Sequence, residues 1–297
     1  MQVGTVRLVV VCDVYSQEAN AQGSGGYAQL ATLVRQLRTE HCLVCLCGDF
    51  LAGSSLADKF KGENVVAVLN EIGVDVVVFG NHEFDYGDDV LLQRISESSA
   101  LWLGTNVIDK RTGEPFGGTA DRHCFSFTFP PADGSEAATV RLGMFGVCTD
   151  DTRVLSYPSD DIEFTNVEDA AKGALDALDE DGADLVVGLT HLALAQDLHL
   201  AAALASHRQT LLGGHDHLTH SSLKDGILVM KCGQDAHHVG VIDIHVRASA
   251  TGKAFHRDWR MVANRHVPAD PTVQQLINSY KAAVHSEHDP AYLQEVL

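Results

Sequence analysis

The sequence has 297 residues, of which 45% are apolar, and a formal net charge of −19 at pH 7. A chain of this length can bury a substantial core, as one large domain or two ordinary ones. The negative charge disfavours nucleic acid or an anionic membrane as the main partner. The sequence has no apolar run near the roughly 18 residues that a membrane helix needs, and its N-terminus lacks the basic and apolar regions of a signal peptide.

Cysteine usage indicates a reducing compartment. The chain has seven cysteines, an odd number, and several fall in apolar strands, which suits buried thiols better than a disulfide framework. His41, Cys42, Cys45 and Cys47 are spaced somewhat like a zinc cluster, but their alternation predicts a buried strand instead. We therefore expect a cytoplasmic protein.

Short apolar strands alternate with amphipathic helices three times in the first third of the chain. The strands are predicted at residues 6–12, 42–47 and 74–79, and the helices at residues 27–38, 63–72 and 88–98. A fourth strand covers residues 101–103. This alternation is typical of βαβ units around a buried, mostly parallel sheet.

The second half of the chain mixes hairpins with helices. Residues 125–129 and 139–147 flank a proline-rich turn at residues 130–134 and predict a β-hairpin. Helices are predicted at residues 167–178 and 193–205, and each precedes a strand, at residues 185–189 and 210–212. Residues 221–262 are strand-like, and a last helix covers residues 271–284. The simplest architecture is two sheets with helices outside, in one domain.

Polar side chains directly follow five of the predicted strands. Each alone has an ordinary explanation, such as a helix cap or a loop histidine, but in α/β sheets the carboxyl ends of strands are where ligands bind. His215 and His217, two apart in an extended segment, are expected to point the same way. The five clusters are Asp13, Asp49, Asn81 with His82, His191, and His215 with His217.

The donor types indicate a metal site. Carboxylate, amide oxygen and imidazole without thiolate suit Mn²⁺, Fe or Zn²⁺ in a hydrolytic site rather than a closed structural zinc. Six candidate ligands exceed what one tetrahedral ion takes, whereas a pair of ions about 3.5–4 Å apart would use them all. The expected cofactors are therefore two divalent metal ions, which could be Mn, Zn or Fe.

The motifs resemble those of the calcineurin-like metallophosphoesterases, and within them the catalytic domain of the 5′-nucleotidase group. The resemblance covers about residues 5–265 and implies an α/β fold, the four-layer α/β/β/α sandwich with two mixed sheets. It rests on these blocks in this order: Asp13, Gly48-Asp49, Gly80-Asn81-His82-Glu83, Thr190-His191 and Gly214-His215-Asp216-His217.

The resemblance also implies a role for each residue. The implied metal ligands are Asp49 as a bridge, Asn81, His191 and His215 at one ion, and Asp13 and His217 at the other. A hydroxide held by the ions would attack phosphorus. His82, oriented by Asp85, would stabilise the phosphoryl oxygens or protonate the leaving alkoxide.

One position departs from the family pattern. The first block of the family is Asp-x-His, and here it is Asp13-Val14-Tyr15. Tyr15 could bind metal as phenolate, could leave its place to a water or to His237 or His238, or could mark a protein that has lost catalysis. The last case resembles a retromer scaffold subunit of this superfamily. Because the other ligands are intact and unpaired buried charges are costly, we expect an active enzyme.

The leading functional hypothesis is a metal-dependent phosphomonoesterase that acts on a small organic phosphate, of the nucleotide or sugar phosphate type. The alternatives are a phosphodiesterase or cyclic-nucleotide hydrolase, since the same metal pair serves both, and a catalytically inactive scaffold protein. The catalytic domain is predicted at residues 1–265 and a C-terminal helix and tail at residues 266–297, without the C-terminal domain of the nucleotidases. Neither nucleic acid nor a membrane is an expected partner.

Overall fold

Two six-stranded β-sheets lie face to face at the centre of the molecule. They are seen in a computed structural model, which describes residues 2–130, 137–204, 209–224, 226–249 and 252–287. The strands in this part of the chain are β1 (Gln2–Val11), β2 (Cys42–Leu46), β3 (Val76–Val78), β4 (Leu101–Leu103), β5 (Val107–Asp109), β6 (Glu114–Pro115), β7 (Arg122–Phe129), β8 (Ala138–Cys148), β9 (Ile162–Phe164), β10 (Leu185–Leu192), β11 (Gln209–His215), β12 (Thr219–Lys224), β13 (Ile227–Cys232), β14 (His238–Ser249) and β15 (Gly252–Ala263).

Both large sheets are mixed. The first has the order β15-β14-β1-β2-β3-β4, in which β1 to β4 are parallel and β14 and β15 are antiparallel. The second has the order β12-β13-β11-β10-β8-β7, with parallel strands in the middle and antiparallel strands at both edges. A small third sheet has the order β6-β5-β9. The parallel strands bring the functional loops to one end of each sheet.

Helices cover the outer faces of both sheets. They are α1 (Tyr27–Leu37), α2 (Ser55–Phe60), α3 (Glu63–Ile72), α4 (Asp88–Glu97), α5 (Thr152–Leu155), α6 (Val167–Glu180), α7 (Leu194–Ala203) and α8 (Pro271–Glu287). The first sheet packs against α1, α3 and α8, and the second against α6 and α7. A separate apolar cluster fills the space between the sheets. This is the predicted four-layer α/β/β/α sandwich, which is confirmed.

Most predicted elements are present, with small differences in their bounds. The hairpin of β7 and β8 is confirmed by its antiparallel pairing, although the turn proposed at residues 130–134 lies mainly outside the described residues. The helix α2 was missed; its start is capped by the Ser54 hydroxyl, which accepts a hydrogen bond from the Ala57 N–H at 3.2 Å. The third sheet was missed too, because its strands have only two or three residues and give no periodic signal.

The last helix joins the core of the first sheet. Val273 and Ile277 of α8 are buried against the cluster that also holds α1 and α3. The proposed boundary at residue 265 stays a prediction, and residues 288–297 of the proposed tail lie outside the described residues. In the described ranges, no helix combines the length and the apolar character needed to cross a membrane.

The two sheets lie in close contact around Gly146 of β8, and this generates a stability prediction. A Cβ at Gly146 would lie 2.5 Å from Leu103 Cβ and 2.8 Å from Val78 Cγ2, both in the facing sheet. We expect Gly146→Ala to lower the free energy of unfolding by about 1–3 kcal/mol, since overpacking forces the layers apart. Gly173, exposed in α6 with open space around it, is the matched control.

Gly173→Ala should instead raise the free energy of unfolding by about 0.5–1 kcal/mol, because alanine loses less backbone entropy in a helix. Urea unfolding of both variants measures the two values. Equal stability of Gly146→Ala and the wild type would contradict the packing described for the two sheets.

Candidate active site

The candidate site lies where the carboxyl ends of the parallel strands from both sheets meet. The loop after β1 joins the loop after β2 through a hydrogen bond from the Asp13 N–H to the Gly48 carbonyl at 3.1 Å. The end of β11 joins them through the His215 N–H, which donates to both oxygens of Asp13, at 2.9 and 3.1 Å. A Cβ at Gly214 would collide with the Cys47 carbonyl. Only glycine there allows the two sheet ends to come so close.

The buried carboxylate of Asp49 is at the centre of the site. One of its oxygens accepts a hydrogen bond from the Tyr15 hydroxyl at 2.9 Å and lies 3.1 Å from His191 Nε2. The other accepts the His82 N–H at 2.9 Å. Burial disfavours the charge of Asp49, but His191 and His82 outweigh that effect and hold the pKa of this carboxyl below its ordinary value. Two loops and the end of strand β10 therefore converge on one anion.

His191 provides the test of whether a cation fits here. Its Nδ1 lies 2.8 Å from the Cys47 carbonyl, which can only accept a hydrogen bond, so Nδ1 carries the proton. Nε2 is fully buried, lacks a well-aligned hydrogen bond and faces the Asp49 carboxylate. Burial opposes protonation, yet Asp49 raises the pKa of His191 to about 10. Two electron-pair donors that face each other in a buried site require a cation between them, either a proton or a metal ion.

A first group of possible ligands forms around His191. The ligand atoms of Asp49, His191 and His215 all lie within 4.8 Å of one another. The Asn81 amide oxygen joins this group at 3.1 Å from His215 Nδ1. Burial and the neighbouring His191 lower the pKa of His215 to about 4, so its ring is neutral and can donate an electron pair to a metal. The donor set of carboxylate, amide and imidazoles fits a divalent ion.

A second group lies on the Tyr15 side of Asp49. His217 Nε2 is 3.6 Å from an Asp13 oxygen and 3.0 Å from the Tyr15 hydroxyl. Asp13 is fully buried, and desolvation together with nearby Asp49 raises its pKa to about 6, against the opposing effect of His191 and His217. The structure thus brings together all six residues of the implied ligand set, in two groups that share Asp49.

The reason given for pairing His215 with His217 was wrong. His215 is the last residue of β11, and the chain does not stay extended from there to His217, because the backbone φ angles are 89° at His215 and 56° at His217. Their rings consequently reach different groups, His215 towards Asn81 and His217 towards Tyr15 and Asp13. Backbone in this region is strained for residues other than glycine, and such strain is typical of functional sites.

Tyr15 occupies the place where the family has histidine, and it is held there firmly. Its ring contacts the rings of His82 and His217 edge-on, with centroids 5.8 and 5.5 Å apart. Its N–H donates to Asp235 at 3.0 Å. Burial and the adjacent Asp49 raise the pKa of the Tyr15 hydroxyl well above its ordinary value. His237, considered as a substitute ligand, instead lies 3.3 Å from the Asn20 amide nitrogen.

His82 and Asp85 form a pair beside Asp49. His82 Nδ1 lies 2.6 Å from an Asp85 oxygen, and the other Asp85 oxygen accepts the Ser156 hydroxyl at 2.6 Å. The hydrogen bond to Asp85 raises the pKa of His82 to about 9 although burial opposes this. In the metal-free protein His82 is therefore protonated at neutral pH, and its side chain is 38% exposed, so the ring is accessible to a ligand.

Glu83 has a structural role that the sequence analysis did not recognise. It is buried, and its two oxygens accept hydrogen bonds from four backbone N–H groups, those of Asp49, Phe50, Leu51 and Gly80, at 2.6–3.2 Å. It thereby joins the loop after β2 to the loop after β3. The position of this glutamate, between the proposed site residues His82 and Asp85, could have indicated its role, because a carboxylate that is buried there must find hydrogen-bond donors.

Lys231 plays the same part in the second sheet. Its fully buried ammonium donates to the Leu192 carbonyl at 2.5 Å and to the Gly214 carbonyl, and it pairs with Asp197 at 2.9 Å and Asp216 at 3.0 Å. It thus ties the strand end that carries His191 to the one that carries His215. A lysine inside the otherwise apolar strand β13 is the signal that could have revealed it.

Comparison with known proteins places the chain in a family. The profile described as calcineurin-like phosphoesterase matches residues 6–218, so the chain belongs to this family. Membership implies divalent metal ions, and Asp49, His191 and His215 form a possible site for one. The predicted resemblance is confirmed.

Similar proteins agree with this assignment. A snake venom 5′-nucleotidase from Gloydius brevicauda is 31% identical over 195 residues, which are 64% of this chain and 32% of the venom protein. The trifunctional nucleotide phosphoesterase protein YfkN of Bacillus subtilis is 23% identical over 284 residues, which are 86% of this chain and 19% of that protein. The chain therefore spans only about a third or less of these relatives.

A solved structure supports the fold. The crystal structure of calcineurin-like phosphoesterase YfkN from Bacillus subtilis superposes with a TM-score of 0.83 at 17% identity, and covers 95% of this chain and 98% of that one. At this identity the likeness establishes the arrangement of strands and helices. The chemistry of the present chain has to be argued from its own residues.

The His82–Asp85 pair generates a prediction that needs no metal. In the metal-free protein, an NMR titration should give His82 a pKa of about 9, and in Asp85→Asn this value should fall towards the ordinary 6.5 because the amide carries no charge. Asp89→Asn removes a charge from an exposed position nearby and should leave the value unchanged. An unchanged His82 pKa in Asp85→Asn would contradict the pairing.

Proposed function

We propose that this chain is a metal-dependent phosphomonoesterase that hydrolyses small organic phosphates of the nucleotide or sugar phosphate type. The observation that carries the proposal is the Asp49 carboxylate, which is shared by two groups of possible metal-binding side chains beside an accessible His82 that Asp85 holds in place. A structural cation site would be closed on all sides. Here an accessible imidazole lies at the edge, where it can act as a general acid in the hydrolysis of a phosphate ester.

The residues present suit a pair of divalent ions, Mn, Zn or Fe. The proposed ligands are Asp49 for both ions, Asn81, His191 and His215 for one, and Asp13 and His217 for the other. Bound ions would supply Lewis-acid activation of water and of the phosphoryl group. The Cys47 carbonyl keeps the proton of His191 on Nδ1 and so leaves Nε2 free to bind metal.

His82 would donate a proton and stabilise the negative charge of the substrate. Its Nδ1–H is held by Asp85, which fixes the ring and keeps it cationic. The Nε2–H can therefore donate to a phosphoryl oxygen or pass its proton to the oxygen of the departing alcohol. Ser156 holds the far oxygen of Asp85 and prevents the carboxylate from rotating. All the side chains named in the support of the His82–Asp85 pair lie in the described part of the chain.

The proposed substrate class is supported by the names of two relatives and by the charge of the chain. One relative is named as a 5′-nucleotidase and another as a nucleotide phosphoesterase, which favours phosphate esters of nucleosides. The net charge of −19 disfavours polyanionic nucleic acid or an anionic membrane surface as partner.

All seven cysteines are free, which supports a reducing location such as the cytoplasm.

A phosphate-release screen of mixed monoesters and diesters, with and without Mn²⁺, tests the proposal. We expect metal-dependent release from monoesters. Asn81→Ala should lower kcat/KM by at least about 100-fold and reduce the bound metal, since changes even to the partners of ligands cost 10–100-fold. Asn278→Ala, at an exposed position in α8, is the control and should match the wild type.

Three outcomes would count against the assignment. Release from diesters alone would favour a phosphodiesterase. No release together with no bound metal would favour a scaffold protein. Unchanged rate and metal content in Asn81→Ala would exclude Asn81 as a ligand.

Tyr15 generates a separate prediction on metal preference. Tyr15→His restores the imidazole of the family pattern beside Asp49 and His217, where the hydroxyl now lies. Turnover should stay within about 10-fold of the wild type, while the order of activation by Mn²⁺, Zn²⁺ and Fe²⁺ should change, because imidazole is a softer donor than a phenol oxygen. Activity profiles across the three metals measure this. A loss as severe as that of Asn81→Ala would show that Tyr15 itself is required.

A further inference from the structure

A cluster of two histidines and one aspartate lies on the outer face of the paired strands β14 and β15. The antiparallel register places His245 directly opposite His256, and Asp258 follows His256 two residues later on the same face. The other face of the two strands, with residues such as Ile244 and Trp259, packs into the space between the sheets. The three polar side chains therefore point away from the second sheet.

Both imidazoles converge on the carboxylate of Asp258. His245 Nε2 lies 3.0 Å from one of its oxygens, and His256 Nε2 lies 3.1 Å from the other. The two rings are stacked, with centroids 6.2 Å apart and an angle of 18° between their planes. Two imidazole nitrogens and a carboxylate, which are donors that suit a divalent transition metal ion, are thus gathered on one surface.

His245 is oriented by the neighbouring strand β1. Its Nδ1 lies 3.0 Å from the Thr5 hydroxyl, which can accept a hydrogen bond from Nδ1–H. The electron pair of Nε2 is then free for a metal ion. Such a partner on the second ring nitrogen is typical of histidines that bind metal.

Asp258 is the carboxylate that this surface leaves for an ion. Asp243, directly opposite Asp258, accepts hydrogen bonds from Arg7 on both oxygens, at 2.6 and 3.0 Å. Arg260 adds a third hydrogen bond to Asp243 at 3.1 Å. The charges of Asp243 and the two arginines therefore largely compensate one another, and Asp258 stays with the imidazoles.

We propose that His245, His256 and Asp258 bind a divalent transition metal ion such as Zn²⁺. Three protein ligands leave one position of a tetrahedral Zn²⁺ to water. Because the imidazoles contact opposite oxygens of the carboxylate, both rings pivot towards a shared ion when it binds. The side chains are 37%, 75% and 64% exposed in the order named, which leaves room for this movement.

This site is separate from the candidate active site. His245 pairs with Thr5 near the start of β1, whereas Asp13 follows the end of that strand at Val11. The chain from Thr5 to Val11 spans roughly 20 Å, at about 3.3 Å per residue. The inference therefore does not depend on the proposed hydrolysis of phosphate esters.

Modification of histidines by diethyl pyrocarbonate, mapped by mass spectrometry, tests the site residue by residue. Zn²⁺ should protect His245 and His256, because the bound ion occupies their Nε2 atoms. The matched control in the same protein is His199, which is 76% exposed and has its Nε2 at 3.2 Å from Glu168. His199 should stay reactive at Zn²⁺ concentrations that protect His256.

Three variants separate a shared site from binding to single histidines. His245→Gln and Asp258→Asn should each raise the Zn²⁺ concentration for half protection of His256 at least about 10-fold, since even loss of a partner of a ligand costs 10- to 100-fold in affinity. Both positions are exposed, so the fold should be retained. Asn81→Ala alters the candidate active site and should leave the protection of His256 unchanged.

Either of two results would overturn the inference. One is protection of His256 that is absent or no stronger than that of His199, as expected for weak binding to isolated surface histidines. The other is protection of His256 that is the same in His245→Gln as in the wild type. The measurement uses no substrate, so an inactive protein would still decide on this site.

Discussion

The architecture of the site depends on one buried anion, the carboxylate of Asp49. Desolvation of a carboxylate is costly, and it is tolerated only where donors or cations compensate it. Tyr15 and the His82 N–H meet this requirement from two loops of the first sheet, and His191 meets it from the end of strand β10 in the second. Since these groups come from both sheets, the charge of Asp49 holds the two sheets together at the carboxyl ends of their parallel strands.

Two further buried charged residues, which are not themselves proposed as metal ligands, support this centre. Glu83 collects backbone N–H groups on the side of the first sheet, and Lys231 collects backbone carbonyls on the side of the second. A carboxylate suits the first place because the loops there present N–H groups, and an ammonium suits the second because the strand ends there present carbonyl groups. Both are fully buried, and removal of either would leave several unpaired groups. The positions of the proposed ligands are thus set by peptide groups as much as by the ligands themselves.

Much of the fold, and the grouping of the candidate site residues at one end of the sheets, could be predicted from the sequence. The alternation of strands and helices fixed the βαβ units, and Asp13, Asn81 and His191 were recognisable because they follow apolar strands. The local conformation at His215 and His217 could not be predicted, since positive φ angles there arise from tertiary contacts with Asp13 and Tyr15. The contact of Ser156 with Asp85 joins residues distant in sequence, which no local pattern reveals.

The central claim is that Asp49 is shared by two metal ions. Anomalous diffraction from crystals grown with Mn²⁺ tests it most directly, because it locates manganese without reference to activity. The account predicts two peaks about 3.5–4 Å apart on either side of the Asp49 carboxylate, one near His191 and His215 and the other near Asp13 and His217. Strong manganese peaks elsewhere, with none in contact with Asp49, would contradict it.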